Sequence, residues 1–196
     1  MLGFNFYRNS PRYIRPEAAR EITASLPSNV EVVGVFVNEA DPSSVRQIAN
    51  LAGVRSVQLH GEESPEFCAA LSDLNVIKAF RVGPDFQIAK IAHFSDCRIL
   101  LDAATPAFGG SGVQCDWNVA RQVRELVPAL FLAGGLDAES VGEAIRTVAP
   151  GAVDACSLLE SSPGIKDPQK VERFIAAVDR ENLVAAEKRF VRGIQK

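Results

Sequence analysis

Short apolar runs alternate along the chain with longer segments in which apolar residues recur every three or four positions. The runs, such as 99–101 (ILL), have the length and composition of buried strands. The longer segments have helical spacing, as in the one that carries Val45, Ile48 and Leu51. Seven strands are predicted, each followed by a helical segment, at 3–7, 30–37, 56–59, 75–80, 98–101, 129–132 and 152–155.

A cap residue followed by proline marks the start of three of these helices. Asp41-Pro42, Ser64-Pro65 and Asp167-Pro168 each lie just beyond a predicted strand. Asp and Ser favour the N-cap position, and proline is tolerated in the first helical turn. Strands that alternate with amphipathic helices predict an α/β fold with a parallel sheet and helices outside it. Residues 1–180 form this predicted domain, and 181–196 are expected to form a charged C-terminal helical extension.

One carboxylate stands out at the end of a predicted strand. Asp102 follows the run 99–101 directly and precedes a segment rich in Gly and Pro. In βα barrels, catalytic residues lie at the carboxyl ends of the strands. An aspartate after a strand also commonly caps a turn, so both interpretations stay open at this point.

Composition excludes several classes of partner. The 196 residues are 47% apolar and 23% charged, with a net charge of -3, which predicts one globular domain and no nucleic-acid partner. No apolar run is long enough to cross a bilayer, and the first residues lack a signal peptide's order, so we expect no membrane association. The four cysteines show no CxxC spacing and the two histidines lie far apart, so we expect no metal, no disulfide framework and a cytoplasmic location.

Seven motifs follow one another along the chain: FYRNSPRYI, VGVFVN, VQLHGEE, ILLDAATPAFGGSG, CDW, LAGGL and PGIKD. Taken in order, they resemble those of phosphoribosylanthranilate isomerases. The resemblance runs in register from about residue 3 to about residue 178, and it implies a (βα)8 TIM-barrel fold, of which this chain has seven units. It also implies an Amadori rearrangement in tryptophan biosynthesis that converts N-(5-phosphoribosyl)anthranilate to 1-(2-carboxyphenylamino)-1-deoxyribulose 5-phosphate without a cofactor.

The resemblance assigns roles to four side chains that would contact the sugar or the aromatic acid. Asp102 matches the general acid that protonates the ribose ring oxygen. Arg12 matches an arginine that binds the anthranilate carboxylate, for which a guanidinium is well suited. Asp154 matches an aspartate that orients the aminobenzoate. His60, at another strand end, is expected either to face the pocket or to make a structural hydrogen bond.

The phosphate group would be bound by backbone N–H groups at two loops. Gly134 and Gly135 supply them after the sixth strand, and Cys156 and Ser157 after the seventh. Leu158 stands where the family usually has glycine, which predicts an altered backbone there. The loop 109–112 (GGSG) resembles the family's loop over the acid.

The family's Lys-x-Cys-Gly segment, which carries the general-base cysteine, has no match in this sequence. Together with the count of seven units against the eight of a closed barrel, this predicts a truncation before Met1. We then expect exposed strand edges where the first βα unit would lie, and association of chains through these edges. The expected oligomeric state is a monomer or a homodimer. Cys156 is a candidate substitute base. The alternatives to an active isomerase are a catalytically impaired barrel that binds phosphoribosyl or anthranilate groups, and another isomerase of the phosphate-binding barrels.

Overall fold

The computed structural model describes residues 1–104 and 114–194, and the side chains up to residue 184. The described chain consists of two compact units, Met1–Leu100 (the first unit) and Leu101–Lys196 (the second unit). No helix in the described ranges has both the length and the apolar composition needed to span a membrane.

The first unit is built from parallel strands that follow one another in chain order. β1 pairs with β2, β2 with β3 and β3 with β4, each in parallel register. The carboxyl ends of these strands therefore lie on the same side. The elements are β1 (Leu2–Asn5), α1 (Pro16–Ser25), β2 (Val32–Phe36), α2 (Pro42–Ala52), β3 (Ser56–Leu59), α3 (Pro65–Ala69), β4 (Asn75–Val82) and a 3₁₀ helix (Ile88–Phe94).

The second unit continues the alternation. β5 (Arg98–Ala103) begins in the first unit and ends in the second, and the Ala133 N–H donates to the Leu101 carbonyl at 2.8 Å just after β6. β6 and β7 pair in parallel. The remaining elements are α4 (Trp117–Leu126), β6 (Leu130–Leu132), α5 (Val141–Val148), β7 (Ala152–Val153), a 3₁₀ helix (Ser157–Leu159), β8 (Glu160–Ser162), β9 (Ile165–Lys166) and α6 (Pro168–Ile194).

The predicted helix starts are confirmed by side-chain caps. Asp41 accepts a hydrogen bond from the Ser44 N–H at 2.9 Å, so its carboxylate satisfies a donor that no carbonyl of α2 can reach. Ser64 caps α3, and Asp167 accepts from an N–H group in the first turn of α6 at 2.9 Å. All seven predicted strands are present, which confirms the α/β class.

Several local expectations change. The helical segment expected after the predicted strand 75–80 is a 3₁₀ helix at Ile88–Phe94. Asp137 binds the Ser140 N–H within the turn before α5, whose N-cap, Ser140, makes no side-chain cap bond. The β8–β9 hairpin was not predicted, although Pro163-Gly164 is a turn signal. α6 crosses the predicted boundary at 180/181 without a break, so the division into a domain and an extension stays a prediction.

An ion pair joins the amino-terminal ends of strands in the first unit. Arg98 donates to Glu31 at 2.7 Å, and the Ser56 hydroxyl donates to the same carboxylate at 2.5 Å. The Arg98 hydrogen bond is the main cause that lowers the pKa of Glu31, and the Ser56 bond adds to it against the opposing effect of burial. Because the folded-state pKa is depressed, this pair stabilises the fold above the unfolded-state pKa, and the contribution is lost as pH falls through the folded-state value.

We therefore expect Arg98→Met to destabilise the chain at pH 7 and to have a smaller effect near pH 3. The loss at pH 7 should be below about 1 kcal/mol, because both side chains are about one third exposed and solvent screens the pair. Urea unfolding of both proteins at the two pH values measures the difference. An equal difference at both values would show that the guanidinium acts through packing alone.

Candidate active site

Asp102 is the second-last residue of β5, so the strand itself delivers the carboxylate. The neighbouring Leu101 and Ala103 are buried, with 0% and 3% of their surfaces exposed, whereas Asp102 is half-buried. Ile99, Leu100 and Leu101 are all buried, so both faces of the strand are covered, and Asp102 becomes accessible at the carboxyl end of the strand. Its Oδ1 accepts a hydrogen bond from the Ala103 N–H at 2.8 Å, which fixes the carboxylate against its own backbone.

Gly134, the first of the paired glycines after β6, lies close to this carboxylate. Gly134 and Gly135 have φ angles of +87° and +64°, a conformation that side-chain-bearing residues rarely adopt. A Cβ placed on Gly134 would lie 3.0 Å from Asp102 Oδ1 and 2.6 Å from the Ala103 nitrogen. Two features therefore require glycine at position 134: the positive φ angle, and the close approach of Asp102 and Ala103 to the place that a Cβ would occupy. The arrangement brings the predicted proton donor and the predicted anion-binding turn together at one end of the second unit.

The segment after β7 lies beside the same strand ends. The Asp154 N–H donates to the Leu132 carbonyl at 2.8 Å, so Asp154 stands next to the end of β6 with an exposed side chain. Cys156 is exposed, and Ser157 begins the 3₁₀ helix that also contains Leu158. In the described ranges, Asn38 and Ala149 are the non-glycine residues with positive φ. Leu158 therefore occupies an ordinary backbone conformation without a positive φ.

Lys166, in the β8–β9 hairpin, binds the segment that follows β7. Its ammonium lies 2.8 Å from the Cys156 carbonyl, 3.3 Å from Cys156 Sγ and 3.1 Å from a carboxylate oxygen of Glu160. The Glu160 side chain is buried, with 4% of its surface exposed. This cluster is not predictable from the spacing of its residues, because Lys166 approaches Cys156 only through the hairpin.

Cys115 lies near Asp102, and the sequence analysis gave it no role. Its N–H donates to the Gly134 carbonyl at 3.4 Å, and its side chain is buried. Burial, together with the negative charges of Asp102 and Asp116, raises the pKa of the Cys115 thiol to about 12. The thiol therefore keeps its proton at neutral pH and is not a candidate base.

Arg12 and His60 belong to the first unit. The Arg12 N–H donates to the Ser10 hydroxyl at 3.1 Å within the loop that follows β1, and its side chain is half-buried. His60 follows β3 directly; its N–H donates to the Phe36 carbonyl at 2.8 Å, and its Nδ1 lies 2.7 Å from Gln58 Nε2. The predicted loop at 109–112 lies outside the described residues. Within the described ranges, no three His, Cys, Asp or Glu side chains are grouped so as to hold a metal ion.

Comparison with known proteins identifies a family to which this chain is similar. A family profile described as N-(5′-phosphoribosyl)anthranilate (PRA) isomerase matches residues 1–177. A relative from Citrifermentans bemidjiense named N-(5′-phosphoribosyl)anthranilate isomerase is 47% identical over 184 residues, covering 93% of this chain and 88% of the relative.

Solved structures agree with this result. Phosphoribosyl anthranilate isomerase from Thermotoga maritima is 42% identical and superposes with a TM-score of 0.84, over 90% of this chain and 86% of that one. A phosphoribosyl anthranilate isomerase in complex with reduced 1-(o-carboxyphenylamino)-1-deoxyribulose 5-phosphate is 38% identical, with a TM-score of 0.80 over the same shares. The predicted TIM-barrel type is thereby confirmed. This chain belongs to the N-(5′-phosphoribosyl)anthranilate isomerase family.

Proposed function

We propose that Asp102 is the proton donor of the Amadori rearrangement of N-(5-phosphoribosyl)anthranilate. Family membership makes the chain an isomerase of tryptophan biosynthesis, and the residue roles are the proposal. The rearrangement opens the ribose ring by protonation of the ring oxygen and removes a proton from the neighbouring carbon. The observation that supports Asp102 is the contact between its carboxylate and Gly134, which places a proton donor beside an anion-binding turn.

The phosphate is proposed to bind at the ends of β6 and β7. Consecutive residues in the left-handed region, such as Gly134 and Gly135, can direct backbone N–H groups into one concave turn, and such turns bind anions. The backbone at Cys156 and Ser157 supplies the second half of the site, and Lys166 fixes its position through the Cys156 carbonyl. Binding through backbone groups leaves the carboxylate of Asp102 available for the sugar.

The aromatic acid is proposed to bind through three further side chains. Arg12 pairs with the anthranilate carboxylate, and a guanidinium can donate two parallel hydrogen bonds to that group. Asp154 and His60 orient the aminobenzoate. The two proton transfers need no cofactor or metal. The proton removed from the neighbouring carbon passes to a general base, for which the thiolate of the exposed Cys156 is the candidate in this chain.

The direct test follows product formation and binding separately. The purified chain is incubated with N-(5-phosphoribosyl)anthranilate, and 1-(2-carboxyphenylamino)-1-deoxyribulose 5-phosphate is measured by chromatography. Binding is measured by calorimetry with the reduced product that a relative binds. We expect binding that inorganic phosphate weakens by competition, and a sedimentation experiment then distinguishes a monomer from a homodimer. Failure to bind the reduced product would contradict the proposal.

Cysteine labelling tests the second half of the phosphate site. Cys156 is exposed beside the Lys166 ammonium, whereas the pKa of Cys115 is raised to about 12 by burial. Thiolates are the reactive form, so iodoacetamide should modify Cys156 first and leave Cys115 unmodified in the folded chain. The reduced product should slow the modification of Cys156 by about tenfold or more, because a bound phosphate excludes the reagent. Mass spectrometry of tryptic peptides measures the modification of each cysteine with and without the reduced product. If the reduced product leaves the rate of Cys156 modification unchanged, the phosphate binds elsewhere.

A further inference from the structure

A buried ion pair lies beside His60 in the first unit. Lys78, on β4, and Glu63, in the loop before α3, lie 2.9 Å apart, with 3% and 2% of their side chains exposed. Removing two charges from water costs several kcal/mol for each ion, and apolar residues of the same volume often give equal or greater stability. The stability of the fold is therefore a weak reason for a charged pair at this position.

The contacts of Lys78 point to another role. Its ammonium donates to the Leu59 carbonyl at 3.2 Å and to the Gly61 carbonyl at 2.7 Å, in addition to the Glu63 carboxylate. These are three partners for the three donors of a lysine. Leu59 and Gly61 are the two residues that flank His60 in the chain.

The contacts of Glu63 complete the arrangement. Its Oε2 accepts from the Gly61 N–H at 3.0 Å, and its Oε1 accepts from the Asn38 N–H at 2.9 Å in the loop after β2. Asn38 has a φ of +52°, and its Oδ1 accepts from the Glu62 N–H at 2.7 Å. The loops after β2 and β3 are thus joined to each other through one carboxylate.

His60 is consequently held on both sides. The carbonyl before it and both backbone groups of Gly61 after it bind the ion pair, and its own N–H binds the Phe36 carbonyl at 2.8 Å. A Cβ on Gly61 would overlap Asn38 Oδ1, so this backbone has no room to relax toward the neighbouring loop. The φ and ψ angles of His60, which set the direction of its imidazole, are therefore fixed by groups that lie outside its own side chain.

We propose that Lys78 and Glu63 are positioning residues for His60, holding its backbone so that the imidazole is presented to the aromatic part of the substrate. The inference rests on the proposed role of His60 in binding that part. Neither charged group touches substrate; each acts through the backbone of residues 59–61.

The test uses a charge-free double variant, because a single substitution would leave one buried charge unpaired. Lys78→Met with Glu63→Gln keeps an amide oxygen that can accept from Asn38 and Gly61, and it loses the bonds to the Leu59 and Gly61 carbonyls. We expect the Kd for the reduced product to rise about tenfold, the loss of one hydrogen bond to the ligand. In this background His60→Ala should add little, since residues that act as one unit are not additive.

A surface pair provides the matched control. Arg46→Met removes an ion pair of the same unit, with Asp73 at 2.8 Å, whose side chains are 36% and 55% exposed. It should leave the Kd unchanged. The chain has two histidines, so the imidazole resonances of His60 can be assigned with a His93→Gln variant, and we expect the double variant to shift and broaden them.

The outcomes separate this inference from the proposed function. If His60→Ala leaves the Kd unchanged in the otherwise unaltered chain, the binding role of His60 is wrong, and the positioning role falls with it. If His60→Ala weakens binding while the double variant changes neither the Kd nor the imidazole resonances, the ion pair is purely structural and this inference alone is wrong. If the double variant does not fold, amide hydrogen exchange of the unaltered chain provides the test. The His60 and Gly61 N–H groups should then be protected from exchange as strongly as those of β3. Exchange of these two groups at the rate of an exposed loop would overturn the inference.

Discussion

Asp102→Asn is expected to lower the rate of product formation by about 10²–10⁴-fold, the usual contribution of a positioned general acid. The amide keeps the shape of the carboxyl group, and its oxygen can still accept from the Ala103 N–H as Oδ1 does now. It has no acidic proton to give to the ribose ring oxygen. Binding of the reduced product should therefore change much less than turnover, because the substitution removes chemistry and retains the local structure.

An exposed carboxylate serves as the control. Asp179 lies on α6 with an exposed side chain, and Asp179→Asn should leave both turnover and binding unchanged. Turnover is measured by product chromatography under saturating substrate, and binding by calorimetry. Full turnover in Asp102→Asn would show that another group donates the proton. Equal losses of turnover and binding would show that Asp102 holds the substrate without acting as its acid.

Gly134→Ala should have the second large effect. The new methyl group would lie 2.6 Å from the Ala103 nitrogen and 3.0 Å from Asp102 Oδ1, at a φ of +87°. The positive φ alone costs about 1–2 kcal/mol for a residue with a Cβ. The clash is with backbone, which cannot rotate away, so the turn and β5 must separate. Because the same turn is proposed to bind phosphate, we expect the Kd for the reduced product to rise about tenfold to a hundredfold, as small misplacements in a site commonly do.

Gly3→Ala is the matched control for this glycine. A Cβ on Gly3 would meet its nearest neighbour, Val35 Cγ2, at 3.9 Å, which is ordinary contact. The same substitution should therefore change neither stability nor binding appreciably. Urea unfolding and calorimetry on the two variants measure both quantities. A Gly134→Ala chain that is destabilised but binds the reduced product normally would show that the turn is structural and the phosphate lies elsewhere.

Local chemistry was enough to predict the strands and the helix caps, whereas the site residues of the second unit stay predictions that rest on the family resemblance. Asp41 and Ser64 show why: a cap needs only a side-chain oxygen within two or three residues of a free N–H, so the sequence contains both partners. The buried strands were found in the same way, as short apolar runs between turn residues. Asp102 and Gly134 are adjacent for a reason that sequence also supplies, since each follows the apolar core of a consecutive parallel strand.

Groups that act over long separations could not be predicted in this way. Lys78 lies in the middle of a strand, and its position in the sequence does not indicate that its partner is Glu63, fifteen residues earlier. The pKa of the Cys115 thiol is raised by what surrounds it, which no spacing reveals. Lys166 reaches Cys156 only because a short hairpin folds back at Pro163-Gly164, and a turn signal does not show which residues the turn brings together.

By itself the sequence determined the order of strands and helices, the helix caps, the resemblance to phosphoribosylanthranilate isomerases and the identity of the proposed acid, because these depend on neighbouring residues and on motifs in order. Tertiary structure alone decided how closely the Gly134 backbone approaches the Asp102 carboxylate, that Leu158 lies in a 3₁₀ helix without a positive φ, and that a buried Lys78–Glu63 pair binds the backbone on both sides of His60. The physical reason is that burial, close approach and charge pairing are properties of what packs around a group, and packing joins residues that the chain keeps apart.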